Sequence, residues 1–206
     1  MIEVENLSLS YQGEAVLKNL SFTIPKGCKA ALAGPSGSGK SSILNILMGY
    51  VYGYDGRVRV DGLEVTSDHI NTIRQRISWL PQELSFKVDL ASELFYLPYA
   101  FRANRHLRPS MSSVEEVFGK LLLDPALLGK GLSEISGGQK QRIALASVLL
   151  LKRPMLLLDE PSSALDAESR GAIMSVVRGL NGVTVLAATH DAEWLDAADV
   201  VINLND

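Results

Sequence analysis

Ile2, Val4, Leu7 and Leu9, and later Leu20, Phe22 and Ile24, alternate with polar residues, the period-2 pattern of half-buried strands. Gln12-Gly13 and Pro25-Lys26-Gly27 punctuate these runs as turns. The pattern then changes. Cys28–Ala33 is a continuous apolar run, read as a short buried strand, and it ends in a glycine-rich stretch from Gly34 to Gly39. From Lys40 onward Ile43, Leu44, Ile46 and Leu47 recur at helical spacing, and Gly49 stands where a helix would be capped. Arg57-Val58-Arg59-Val60 before Asp61-Gly62 predicts a strand entering a tight turn, and Ile77–Leu80 a further strand before Pro81.

From Asp89 to Gly131 helix-like patterns dominate, with breaks expected at Pro98, Pro109 and Pro125. Met155–Leu158 and Val183–Ala188 are again apolar runs, with a helix-like stretch after Asp166 between them, and Val200–Leu204 reads as a last strand. Apolar strands that alternate with helices and lack a polar face predict an α/β fold with a mostly parallel sheet, buried on both sides. An antiparallel β region flanks that sheet at the N-terminal end. The expected organisation is a single domain, 1–206, in which 1–85 and 153–206 form the α/β body and 86–152 an inserted helical subdomain.

Composition narrows the classes. Of 206 residues 47% are hydrophobic, which excludes intrinsic disorder, and 20 Lys+Arg against 23 Asp+Glu give a net charge of −3, which argues against a general nucleic-acid binder. The longest apolar runs, Ile143–Leu151 and Val183–Ala188, are far shorter than the roughly 18–20 residues of a spanning helix. Cys28 is the only cysteine, so no internal disulfide can form. The alternation in Met1-Ile2-Glu3-Val4-Glu5 has no signal-peptide character, and a cytosolic location is expected.

Two constellations carry chemistry. Gly34-Pro35-Ser36-Gly37-Ser38-Gly39-Lys40-Ser41 fits the phosphate-loop pattern, followed by Ser42, between a predicted strand and a predicted helix. Its glycines let backbone N–H groups converge on a phosphate chain at a helix N-terminus. Lys40 is placed to reach the outer phosphates and the Ser41 hydroxyl to bind Mg²⁺, so a nucleoside-triphosphate site is predicted. Asp159 and Glu160 follow the apolar run Met155–Leu158. A phosphate-loop enzyme needs one acid for Mg²⁺, the role read for Asp159. On an extended segment the next side chain points the other way, which frees Glu160 to act as general base toward water.

With these motifs in hand, the chain resembles the nucleotide-binding subunit of an ATP-binding cassette (ABC) transporter over essentially its whole length. The distinguishing stretch is Ile135-Ser136-Gly137-Gly138-Gln139-Lys140-Gln141-Arg142, similar to the family signature with Ile135 where Leu is usual. Physically, Ser136-Gly137-Gly138 opens an apolar helix, a second N-terminus ready for an anion. The resemblance implies a P-loop NTPase of ABC ATPase type and a homodimer in the ATP-bound state, each signature (Ser136, Gly137, Gly138, Gln139) closing over the ATP of the other subunit. It also implies that Tyr11 stacks on adenine and that Gln82 senses Mg²⁺ and the attacking water. Asp166, in Ser163-Ala164-Leu165-Asp166, would communicate across the dimer, and His190 would contact the γ-phosphate. Read without the family, Asp166 is a helix N-cap.

Phe86, Phe95, Tyr96, Tyr99 and Phe101 form the densest aromatic region, directly after Gln82. The resemblance makes the region near residues 82–105 the docking groove for an integral membrane permease, with some of the rings expected in the subdomain core. Tyr99 and Phe101 are the rings expected to face the permease. Arg102, Arg105, His106 and Arg108 read as a solvated basic face, with a place near anionic lipid headgroups as the alternative. The expected function is an ATP-binding subunit, peripheral on the cytoplasmic face of the membrane, that hydrolyses ATP with Mg²⁺ to drive transport. Its short length and Leu97-Pro98-Tyr99 are loosely similar to small stand-alone ATPases ascribed to metal (iron) export, and no C-terminal regulatory domain is expected after His190. The competing readings are a soluble ABC-type ATPase of DNA repair or translation, and a nucleotide-gated interaction module. The interval from Gln82 to Ser136 is too short for the coiled-coil insertion of the repair type.

Overall fold

The alternating N-terminal pattern folds into a hairpin. β1 (Ile2–Tyr11) and β2 (Glu14–Ile24) pair antiparallel around Gln12 and Gly13, whose φ angles of 50° and 87° give the left-handed turn that suits the strand twist. The structure, a computed structural model, describes every residue except Ala164, Asn205 and Asp206. Next come β3 (Lys29–Ala33), α1 (Lys40–Leu47), β4 (Asp55–Val60), β5 (Leu63–Glu64), α2 (Ile70–Arg74) and β6 (Ile77–Leu80). Three helices follow, α3 (Ala91–Ala100), α4 (Met111–Lys120) and α5 (Gly137–Leu149). The chain closes with β7 (Met155–Asp159), α6 (Ala167–Arg178), β8 (Thr184–Ala188), α7 (Ala192–Asp196) and β9 (Val200–Asn203). It divides into two compact units, one of residues 1–77, 154–160 and 181–206, the other of 78–153 and 161–180.

The first unit holds two sheets. An antiparallel sheet has the order β2-β1-β4-β5, and parallel strands run in the order β7-β8-β3-β9. Every residue of β7 and β8 is buried, as unbroken apolar runs between two covered faces require. The register aligns Asp159 of β7 with Ala188 of β8, and Leu32 of β3 with the same Ala188. Three strands therefore end in line. At the far end of α1, Gly49 N–H donates to Ile46 O over 2.8 Å and Tyr50 N–H to Asn45 O over 2.8 Å, so the predicted glycine cap is a Schellman motif.

One feature of the antiparallel sheet escaped the alternation pattern. The register of β1 against β4 shifts between Glu5 and Ser8, with Asn6 at a φ of 50° and its N–H bonded to Ser21 Oγ at 2.8 Å. Opposite this bulge sits Gly56, whose φ is 94°. A Cβ there would lie 2.5 Å from both the Glu5 and Asn6 carbonyl oxygens.

The second unit buries part of the aromatic region, Phe95 and Tyr99. Phe95 meets Phe118 edge-on at 5.5 Å between centroids, and Tyr96 at 4.8 Å. Tyr99 Oη donates to the Ser147 carbonyl at 2.8 Å, while Ser147 Oγ donates to the Phe95 carbonyl, a reciprocal clasp between α3 and α5. Pro109 and Pro125 do mark boundaries, before α4 and at the start of a 3₁₀ turn. Pro98 does not break its helix: it lies inside the last turn of α3, which runs on to Ala100. So close to the C-terminus the ring costs one ladder bond, and the Pro98 carbonyl accepts from Asn104 Nδ2 at 2.9 Å.

Gly56→Ala is expected to destabilise the chain by about 1–3 kcal/mol, because the new methyl meets backbone and not a flexible side chain. Urea unfolding measures this. An unchanged midpoint would mean that the bulge moves aside freely.

Candidate active site

The aligned ends of β3, β7 and β8 gather the chemistry of the first unit. From β3 the chain enters the glycine-rich loop and then α1, whose N-cap is Gly39 at a φ of 94°. A Cβ on Gly39 would also sit 2.6 Å from Leu17 Cδ2, so both conformation and close packing call for glycine. Leu17 and Val16 belong to β2, which places the hairpin bearing Tyr11 alongside the loop. Tyr11 itself is 46% exposed at the hairpin tip, an open ring face.

Lys40 is buried and folds back over the loop, its Nζ donating to Gly34 O at 2.7 Å and Pro35 O at 2.9 Å. The first turn of α1 carries no acidic side chain, and Ser38 Oγ is buried without a hydrogen-bond partner. A donor without an acceptor, a cation and a free helix N-terminus are the complement of a phosphate chain.

From β7 comes Asp159, which accepts a hydrogen bond from Ser41 Oγ at 3.1 Å. Burial pushes its carboxyl above the usual range, and the Ser41 hydroxyl only partly offsets this. A hydroxyl and a single desolvated carboxylate suit Mg²⁺, which takes few protein ligands and fills its shell with phosphate oxygens and water. No group of three or more His, Cys, Asp or Glu able to hold a metal occurs among the described residues.

Glu160 departs from expectation in how it separates from Asp159. The strand ends at Asp159, and Glu160 has a φ of 47°, a left-handed conformation unusual for a residue with a Cβ. A turn therefore parts the two carboxylates, where simple strand alternation was predicted. Glu160 N–H donates to Ala188 O at 2.9 Å, and Glu160 Oε1 lies 3.0 Å from His190 Nδ1. With its proton on Nδ1, His190 donates to the carboxylate and leaves Nε2 as an exposed acceptor. Sequence reasoning missed Thr189: fully buried, it accepts the Asp191 N–H at 3.1 Å and fixes the turn carrying His190. Its place directly between the apolar run and His190 was the available signal.

The second unit holds the other predicted residues. Gln82 is exposed in the segment after β6. Ser136 caps α5: its Oγ accepts the Gln139 N–H at 3.1 Å, and Gln139 Oε1 accepts the Ser136 N–H at 2.8 Å. Gly137 is exposed, so the signature forms a well-capped, open helix N-terminus. Asp166 caps α6 through Ser169 N–H at 2.7 Å and Ser169 Oγ at 3.0 Å, and these bonds hold its carboxyl below the usual range. Ala164, of the same predicted loop, lies outside the described residues. Of the aromatic region, Tyr99 is only 4% exposed, so it is a core residue and not a docking surface as expected, because its hydroxyl finds a buried carbonyl. Phe101, at 64%, and Phe86 are exposed.

The sequence profile of the family described as "ABC transporter" matches residues 17–163, well over half the chain. The chain belongs to that family. It is 34% identical to "Energy-coupling factor transporter ATP-binding protein EcfA1" of Ligilactobacillus salivarius, over 100% of this chain and 75% of that protein. It is 32% identical to "Iron-sulfur clusters transporter ATM1, mitochondrial" of Candida albicans, over 99% of this chain but 28% of the relative. Of that relative the chain spans less than a third. Among solved structures, the dimeric cassette of MJ0796, a bacterial ABC transporter, superposes with a TM-score of 0.85 at 29% identity, covering 99% of this chain and 95% of that one. A post-hydrolysis state of the same cassette, bound to ADP and Pi, gives 0.83 at 28%, covering 98% and 94%. The protein is an ABC ATPase, with the α/β P-loop fold expected of one.

Because folding raises the Asp159 pKa, the ionised carboxyl opposes folding. That cost is complete above the folded pKa and vanishes as pH falls below the ordinary carboxylate range. Asp159→Asn is therefore expected to raise Tm of the nucleotide-free chain at pH 7, with the advantage shrinking on acidification. Thermal melts across pH measure it.

Proposed function

We propose that this ATPase is the energising subunit of a transporter whose membrane-spanning permease is a separate chain. The observation that carries the site assignment is the pairing of Ser41 with Asp159 and of Glu160 with His190 at one sheet edge, beside an unsatisfied phosphate loop. ATP lies along Gly34–Ser42 with its adenine on Tyr11, and Lys40 releases the loop carbonyls to meet the outer phosphates. Ser41 and Asp159 hold Mg²⁺, which neutralises charge on the phosphate oxygens when bound. Gln82, in the second unit, is assigned the sensing of the metal and the attacking water.

Glu160 takes a proton from that water as it attacks the γ-phosphate. His190 holds the carboxylate through Nδ1 and offers its other nitrogen to the phosphate. Ser136–Gln139 serve the ATP of a second copy, and Asp166 lies on the same dimer face. The dimeric MJ0796 cassette supports that arrangement. Closure around two ATP and reopening after hydrolysis drive the permease between states.

Among the described residues no helix is long and apolar enough to cross a membrane. In this reading the chain sits at the cytoplasmic face through its partner, by the exposed side chains of the region near residues 82–105. EcfA1, by its name the ATP-binding protein of an energy-coupling factor transporter, supports this reading.

Glu160→Gln is expected to keep MgATP affinity, lower kcat by about 100-fold or more and accumulate a dimer with ATP. Turnover assays and light scattering check both, and near-normal turnover would remove Glu160 from the base role. Phe101→Asp changes an exposed side chain, so folding and nucleotide affinity should hold while co-purification with the permease is lost. Undiminished assembly would place the docking surface elsewhere.

A further inference from the structure

Arg142 has no place in the chemistry described above, yet it is only 9% exposed. A guanidinium that deep must find partners. Its Nη1 donates to Leu121 O at 2.9 Å and to Leu122 O at 3.1 Å, and its Nε contacts Gly138 O at 3.3 Å. The first two acceptors lie just beyond the C-terminus of α4. That helix ends in a Schellman motif, Leu122 N–H on Gly119 O at 3.2 Å and Leu123 N–H on Phe118 O at 2.9 Å. The left-handed position, normally glycine, is Leu122 at a φ of 54°. Such a strained end persists only where its surroundings over-determine it, and a cation on its last carbonyls does so.

The third acceptor belongs to the signature turn. Gly138 is also pressed against the segment leading to Asp166, since a Cβ on it would lie 2.8 Å from Leu165 Cδ2. Arg142 contributes a favourable charge to Asp166 as well, behind the Ser169 hydrogen bonds. One cation thus stands at the junction of the α4 end, the signature turn and the Asp166 cap.

We infer that Arg142 is a positioning residue: its planar fork fixes the open N-terminus of α5 against the end of α4, and so sets the direction in which Ser136–Gly138 face the second copy's ATP. The inference rests on the proposed role of the signature in the dimer. Lysine cannot replace the fork, because a point charge on a flexible stem does not bridge two carbonyls and the helix start at once.

The test uses the full chain in the Glu160→Gln background, with ATP-driven dimerisation followed by light scattering. Adding Arg142→Lys should leave the ATP affinity of the monomer unchanged and raise the protein concentration needed for dimerisation about tenfold or more. Leu122→Gly relieves the strained turn while keeping its carbonyls. Placed on top of Arg142→Lys, it should recover lost Tm but not dimerisation. Three results overturn the inference: dimerisation equal to Glu160→Gln alone, a loss of ATP affinity, or dimerisation recovered together with Tm. The last would make Arg142 a support for Leu122 only. If Glu160→Gln with intact Arg142 does not dimerise, the dimer reading itself fails and the inference falls with it.

Discussion

Parallel strands deliver all their C-terminal ends to one edge, and the register of β3, β7 and β8 brings those ends within one residue of each other. Everything in the catalytic half of the chain depends on that alignment. With both faces of the sheet covered by apolar side chains, polar groups have only the strand ends to occupy. Ser41 reaches Asp159 across 118 positions of sequence because α1 starts from the β3 end and Asp159 closes β7. Glu160 meets His190 for the same reason, the one lying one residue beyond β7 and the other two residues beyond β8.

That edge concentrates local costs which the remainder of the fold sustains. Asp159 is desolvated, Glu160 adopts a left-handed backbone, Lys40 lies buried on carbonyls, and Ser38 Oγ lacks an acceptor. Desolvation, a left-handed backbone and a buried polar atom without a partner are local costs of the kind that cluster at functional sites. The second unit follows a different principle. Its exposed helix starts at Ser136 and Asp166 are fully capped, and its rings pack around Phe95, so it presents a preformed surface.

Much of this was legible in the residues. The apolar runs gave the buried strands, Gly49 the helix cap, and the spacing of Gly34 to Ser41 the phosphate loop, because each signal depends on only a few neighbours. What escaped reading depends on partners far along the chain. Tyr99 looked like a surface ring until Ser147 supplied an acceptor for its hydroxyl. Pro98 looked like a break, although a helix near its end loses little to proline. The bulge at Asn6 and the left-handed Leu122 carry no glycine, and the groups that meet them, Gly56 across the sheet and Arg142 across the helices, are distant in sequence.

Sequence alone determined the family and the class of fold and named the proposed reacting groups, since backbone geometry at a phosphate and the chemistry of proton transfer allow few residue types at few spacings. Tertiary structure decided how those groups are poised. It set which carboxylate is desolvated, which turn parts Asp159 from Glu160, which ring is core, and what holds the signature turn. The physical reason is that burial, strain and hydrogen-bond satisfaction belong to a residue's surroundings in space, and along this chain those surroundings arrive from scores of residues away.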